Sequence, residues 1–443
     1  MTITRRKLLY STLFGAGLLG LRSLATGIPT KLLAGGPQAF AAAMACSDPA
    51  KAQYVILATS GSGDPLNANA PGTYGGGALA TVSHSLDPSM KPTALTLGGA
   101  ATTAAMPWST TATGGQLTQD VLDRMSVFHL MTNTPVHPRE PDVLSLMDAT
   151  APREMLPSLL SRQLAGCLGT VQSQPITLGA ASPSEGLSYG GQALPIIPPL
   201  ALKATLANPA GPLAGLTKLQ ALRDDTLTKI NEIYRRSATR AQKAYLDSVI
   251  TSQAQIRSIN QNLLSALGAI TDNSVASQIT AAVVMIQMNV TPVIAIHIPF
   301  GGDNHSDPGL ANEALQTTSG LGSIALLMSQ LKAMSNPRGS LFDQTSLITL
   351  NVFGRTLAAV HTDGRDHNPN HQVSLAIGKP FKAGVFGGLA PVGNDFGATK
   401  IGDIAPSDSL ASFGQTVMNA VGVDQATISK SITAGKVITQ ALA

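Results

Sequence analysis

Five short apolar runs, spaced by stretches of helical pattern, most constrain what this chain can fold into. Tyr54 to Ala58, Ser126 to Leu130, Val293 to Ile298, Ser346 to Val352 and Val373 to Ile377 are each the length of a strand and too short for a stable helix. They carry almost no polar alternation, which is how strands read when both faces of their sheet are covered. Helical patterns at about 140–149, 323–334 and 407–420 separate or follow them. Strands alternating with helices predict an α/β fold: a mainly parallel sheet with helices on both faces. From about Pro212 to Leu267 the rhythm changes. Leu216, Leu219, Leu227, Ile230, Tyr234, Tyr245, Val249 and Ile256 fall at three- and four-residue steps, which predicts a long helical insertion at about 205–270. Residues 65–118 are rich in Gly, Ala, Thr and Pro with little periodicity and read as loops.

Polar residues collect just beyond the strands. Asp64 follows the first run, Thr134 and His137 the second, Asp303 and His305 the third, and Arg355 the fourth; Asp366, His367 and His371 lie shortly before the fifth. Open parallel sheets bind ligands outside the carboxyl ends of their strands, so these residues gather where such a fold places a site. Five of the eight histidines (His297, His305, His361, His367 and His371) fall within 75 residues. Asp303-x-His305 and Asp366-His367 pair a hard oxygen donor with an imidazole, a mixture that suits zinc, with manganese or calcium as alternatives. With Asp64 and His371 the set has enough donors for one or two divalent metal ions, the arrangement used for in-line displacement at phosphorus. Gly61-x-Gly63 lacks the third spaced glycine of a dinucleotide-binding loop, so a nucleotide cofactor is set aside.

Several of these segments together resemble the domain-of-unknown-function family 1501, exported proteins of the alkaline phosphatase and sulfatase superfamily. Val352-Phe353-Gly354-Arg355-Thr356 is similar to its E-F-G-R-T element. Gly364-Arg365-Asp366-His367, with His371 close behind and Gly387-Gly388 after it, resembles its G-x-D-H element and G-G turn. Gly301-Gly302-Asp303-Asn304-His305 is similar to G-W-D-T-H, and Ser62-Gly63-Asp64-Pro65-Leu66-Asn67 to G-x-D-G-L-N. The resemblance spans roughly residues 50–425 and implies an alkaline-phosphatase-like fold with a two-metal site. It implies that Asp64, Asp366 and His367 hold one metal and that Asp303, His305 and His371 surround the other. Arg355 would orient a loop or meet an anionic oxygen.

The departures from that pattern bear on catalysis. Many members carry a Ser-His pair after the second strand; here Val136 stands at the serine position, before His137. Thr134 then reads either as the attacking hydroxyl or as a turn or helix-cap residue. Val352 replaces the family's glutamate and Asn304 its threonine. Two functions follow as expectations: a metal-dependent hydrolase of a small phosphate or sulfate ester, or a non-catalytic metal-stabilised envelope scaffold or binding protein.

The N-terminus bears on location. Arg5-Arg6 precedes an uncharged apolar run from Leu8 to Leu21, and Ala39-Phe40-Ala41 and Ala43-Met44-Ala45 offer small-x-small cleavage patterns. This is the form of a twin-arginine signal, too short to span a bilayer. Residues 1–45 are therefore expected to be a leader recognised by the twin-arginine translocase. Residues 46–443 are then a single periplasmic or secreted domain with no transmembrane segment. The first 41 residues hold five basic groups and no acid, leaving 24 Lys and Arg against 25 Asp and Glu. A near-neutral domain gives no reason to expect nucleic acid as a partner. The two cysteines, Cys46 and Cys167, can pair in an oxidising compartment, or Cys46 can be lipidated.

Overall fold

The computed structural model describes residues 48–61, 66–207 and 267–443, apart from 152, 171, 181–184, 301 and 359–362, together with residues 225, 229, 232 and 233. The expected leader, Cys46, Asp64 and nearly all of the expected helical insertion lie outside the described residues.

The core is a seven-stranded sheet. In chain order its strands are β1 (Tyr54–Ser60), β2 (Met125–Leu130), β3 (Ile176–Thr177), β4 (Val293–His297), β5 (Thr345–Asn351), β6 (Gln372–Ile377) and β7 (Gly384–Phe386), arranged β7-β2-β6-β5-β1-β4-β3. β1 is central, pairing in parallel with β5 (Tyr54 opposite Thr345) and with β4 (Val55 opposite Val293). Every residue of β1 is buried. Because successive side chains point to opposite faces, both faces of the sheet must be covered there.

The fold is thus α/β with a mostly parallel mixed sheet. The departure from an all-parallel sheet is β6, antiparallel to both β5 and β2. No crossover helix is described between β5 and β6. The main chain instead forms a two-residue ladder, Gly354–Arg355 against His367–Asn368. A strand entered without a crossover runs back the way its neighbour came.

Four longer helices frame the sheet: α1 (Leu156–Leu168), α2 (Val275–Gln287), α3 (Ala311–Ala333) and α4 (Ser409–Ala420). α2 starts at Ser274, whose hydroxyl accepts from Ser277 N–H and satisfies a first-turn donor. α3 is twice as long as its apolar pattern implies. Its first turn (Asn312, Glu313) gains from Asp307, whose two carboxylate oxygens accept the main-chain N–H groups of Asn312 and Glu313 at 2.9 Å each. One buried apolar cluster runs from Ala52 to Ala441 and includes the apolar residues of β1, β2, β4, β5 and α4. Cys167 in α1 is disulfide-bonded. Among the described residues no helix is long and apolar enough to cross a membrane.

The 65–118 region is more ordered than a loop reading implies. Pro92–Leu97 and Ala100–Ala105 form a hairpin joined at Gly98-Gly99, both with positive φ (55° and 89°). Two such glycines build the tight turn that matches strand twist.

Candidate metal centre

Several of the polar residues singled out from sequence meet at one edge of the sheet. β1, β2, β4 and β5 deliver Gly61, His137, Asp303 and Arg355 beyond their carboxyl ends, and the ladder before β6 delivers Asp366 and His367.

Asp303 lies at the middle. Its Oδ1 is 3.1 Å from His305 Nε2 and 3.2 Å from Arg355 Nη1, and its Oδ2 is 3.7 Å from His137 Nε2. His305 Nε2 is 3.0 Å from His367 Nε2, and His305 Nδ1 is 2.9 Å from Asp366 Oδ1. Ligand atoms of His137, Asp303 and His367 all fall within 4.8 Å of one another. Phe353 forms the apolar floor: its ring stacks on His367 at 4.2 Å and leans on His137 at 4.9 Å.

The second nitrogen of each imidazole fixes its tautomer. His137 Nδ1 lies 3.0 Å from the Gly61 carbonyl oxygen, and His367 Nδ1 binds the Pro135 carbonyl. A carbonyl only accepts, so both Nδ1 atoms carry the proton, and the same holds for His305 Nδ1 against the Asp366 carboxylate. Nε2 of His305 and Nε2 of His137 therefore face the Asp303 carboxylate, and His367 has a ligand atom within 4.8 Å of it. At 3.0 Å, His367 Nε2 and His305 Nε2 either share a proton in a hydrogen bond or face a common metal ion. Imidazoles anchored through Nδ1–H to carbonyls or carboxylates, with Nε2 turned inward, are the outer-shell pattern of metal-binding histidines. Burial, opposed by the Pro135 bond and assisted by the nearby Arg355 charge, holds His367 below its ordinary value.

Two buried structures hold the loops in place. Arg365 is fully buried and spends all five donors: on Glu313 (Nε, and Nη2 at 3.1 Å), on Ser83 Oγ and O, and on the Thr356 carbonyl. Glu313 in turn accepts from Asn69 at 2.9 Å. Arg365 N–H also donates to Asn304 O, the residue between Asp303 and His305. The second is Glu185 with His297. Glu185 Oε2 is 2.7 Å from His297 Nδ1 and accepts from Thr59 Oγ1 at 3.0 Å. Burial pushes this carboxyl up, but the bonds from His297, Thr59 and Gly61 outweigh it and hold it below its usual range. Gly61 thus binds Glu185 through its N–H and His137 through its carbonyl.

Two of the residues expected at the centre, His371 and Thr134, stand elsewhere, and a third, Arg355, lies beneath it. His371 is fully buried, with Nε2 on His129 Nδ1 (2.8 Å) and Nδ1 facing the Asn67 amide (3.1 Å), so neither nitrogen turns toward Asp303. Its place beside the D-H pair in sequence is misleading because it enters the sheet directly ahead of β6. Thr134 is fully buried, with Oγ1 accepting from Val136 N–H at 3.4 Å, the turn role. Arg355 is at the cluster but completely buried, placed to hold Asp303 and the Gly302 carbonyl (3.4 Å), not an incoming anion. His137, expected as a catalytic partner, stands among the candidate ligands. Asp366 stands behind His305. The buried Arg365–Glu313 pair, Asn67 and His129 were not anticipated; a histidine inside the otherwise apolar second run was the visible signal for His129.

No family model, curated protein or solved structure matches this chain.

Proposed function

We propose that the protein is an exported, metal-dependent hydrolase of a phosphate or sulfate ester, with an alkaline-phosphatase-like fold. A divalent cation, zinc first among candidates, would be held by His137, Asp303 and His367, with His305 as a further nitrogen. The observation that carries this reading is the gathering of His137, His305 and His367 around the Asp303 carboxylate, each imidazole anchored behind through Nδ1 to an acceptor. The bound ion would supply Lewis-acid polarisation of an ester oxygen. The chain's own residues orient that chemistry: Arg355 and Asp303 neutralise one another beneath the site, and Phe353 excludes water from its floor. Asp366 fixes the His305 ring. The twin-arginine pattern at Arg5-Arg6 supports export as a folded protein.

Elemental mass spectrometry of the purified protein, beside His137→Ala and Asp303→Ala, tests the metal. One or two equivalents lost in both variants support it; no metal after reconstitution ends it. A panel of aryl phosphates, aryl sulfates and phosphodiesters then tests the hydrolase.

A second reading is favoured by the burial of Thr134 and by Val136 at the family's serine position: a metal-stabilised envelope scaffold or binding protein without a nucleophile. On this reading zinc raises the melting temperature and no ester is turned over.

A further inference from the structure

Asn67, His371 and His129 form a buried chain whose hydrogens can be assigned in only one way. His129 Nε2 lies 2.9 Å from the Pro71 carbonyl, which only accepts, so this nitrogen carries the proton. His129 Nδ1 is then an acceptor, and the proton in its 2.8 Å contact with His371 belongs to His371 Nε2. His371 Nδ1 is left as an acceptor, filled by the Asn67 amide N–H at 3.1 Å. The second Asn67 N–H donates to the Arg355 carbonyl at 2.8 Å, and Asn67 Oδ1 accepts the Arg355 N–H at 3.0 Å. Asn67 therefore takes both main-chain polar groups of Arg355, and its own inventory is complete. All three side chains are buried. The fit leaves no slack: a β-carbon on Gly354 would stand 2.2 Å from the His371 carbonyl and 2.5 Å from Asn67 Nδ2.

The far end of this chain reaches the metal centre twice. Arg355 Nη1 is 3.2 Å from Asp303 Oδ1, and in the two-residue ladder Arg355 is the register partner of His367. A shift of the Arg355 backbone moves two of the three candidate ligands.

We propose that Asn67, His371 and His129 are positioning residues: a one-directional relay of neutral side chains that locks the Arg355 backbone and so sets the spacing of Asp303 and His367. This deepens the metal-centre reading and rests on it for its effect on affinity. His371, on this proposal, ligates nothing.

The test has two arms on the full exported chain. In the metal-free protein with 15N-labelled histidine, long-range 1H–15N spectra should find both buried rings as Nε2–H tautomers. An Nδ1–H tautomer or a charged ring at either position near neutral pH overturns the relay, whether or not metal binds. In the second arm, zinc affinity is measured by competition with a chelating dye for His371→Gln and His371→Leu. Glutamine can accept from Asn67 and donate to His129; leucine can do neither. His371→Leu should lose about 10- to 100-fold in affinity at unchanged stoichiometry, and His371→Gln should recover most of it. A lower stoichiometry in both makes His371 a ligand and overturns the proposal, as do equal affinities in all three proteins. A parent protein that binds no zinc defeats the metal reading and the proposed effect on affinity, while the tautomer arm still decides the relay itself.

Discussion

A β-carbon placed on Gly364 would stand 2.2 Å from the carbonyl oxygen of His305. The two halves of the candidate centre, Asp303-Asn304-His305 and Gly364-Arg365-Asp366-His367, are therefore stacked backbone against backbone. The hydrogen bond from Arg365 N–H to Asn304 O, 2.9 Å, lies in the same contact.

Gly364→Ala should consequently injure both stability and the centre. Position 364 has φ +142°, which an L side chain adopts only with strain. Strain and the blocked approach together should cost about 1–3 kcal/mol or more, read as a lower urea midpoint. Zinc affinity should fall with it. An alanine variant with parental midpoint and affinity would mean that the two loops are not apposed as described.

The Arg365–Glu313 pair should behave as a buried pair that tolerates joint replacement better than single loss. Arg365→Met leaves Glu313 charged and buried, at a cost of about 3–5 kcal/mol. Adding Glu313→Leu removes the stranded charge and should recover part of that loss. Equilibrium unfolding of the two single variants and the double variant measures the coupling. Additive costs would contradict a direct pair.

Stability should fall as acid is added below neutral pH. Burial lowers His129 from 6.5 to about 4 and pushes His371 in the same direction. Between those pH values the unfolded chain takes up protons that the folded relay refuses, so stability is full above about pH 6.5 and declines toward pH 4. At pH 5 the His129 ring alone should account for about 2 kcal/mol. Protonating His129 also sets two N–H groups against each other at the 2.8 Å contact, and protonating His371 does the same at its 3.1 Å contact with the Asn67 amide. Melting temperature against pH should therefore have a positive slope over this window, shallower in His129→Gln. A flat profile would mean that the rings are not buried as neutral groups.

What the sequence made legible follows the physics of each signal. The five strands were readable because each is a continuous apolar run, Asp303 and His305 because they follow the third run in a loop, and Asp366 and His367 because they lie shortly before the fifth. The reversed β6 was not, since apolar content carries no direction; only the lack of a helical pattern between Asn351 and Gln372 hinted at it. His371 was misplaced for a related reason: proximity to Asp366 and His367 along the chain says nothing of which side of the main chain a side chain takes. The hairpin at Gly98-Gly99 had a readable turn but strands poor in β-formers, Ala100 to Ala105 above all. The Arg365–Glu313 pair spans 52 residues and left no trace in local pattern.

Thr134 and His137 separate the two functional readings. Thr134 Oγ1 is buried and turned to the Val136 N–H, away from solvent, so Thr134→Ala should leave zinc stoichiometry unchanged. It should also leave any turnover of an aryl phosphate or sulfate little altered. His137 Nε2 faces Asp303 with its Nδ1–H anchored on Gly61, so His137→Ala should weaken zinc by well over tenfold. Turnover present in the parent, kept in Thr134→Ala and lost in His137→Ala would assign attack to water at the metal centre. Turnover abolished by Thr134→Ala in a protein that still binds zinc would restore the threonine as nucleophile, and would require the Thr134 to Val136 turn to open before reaction.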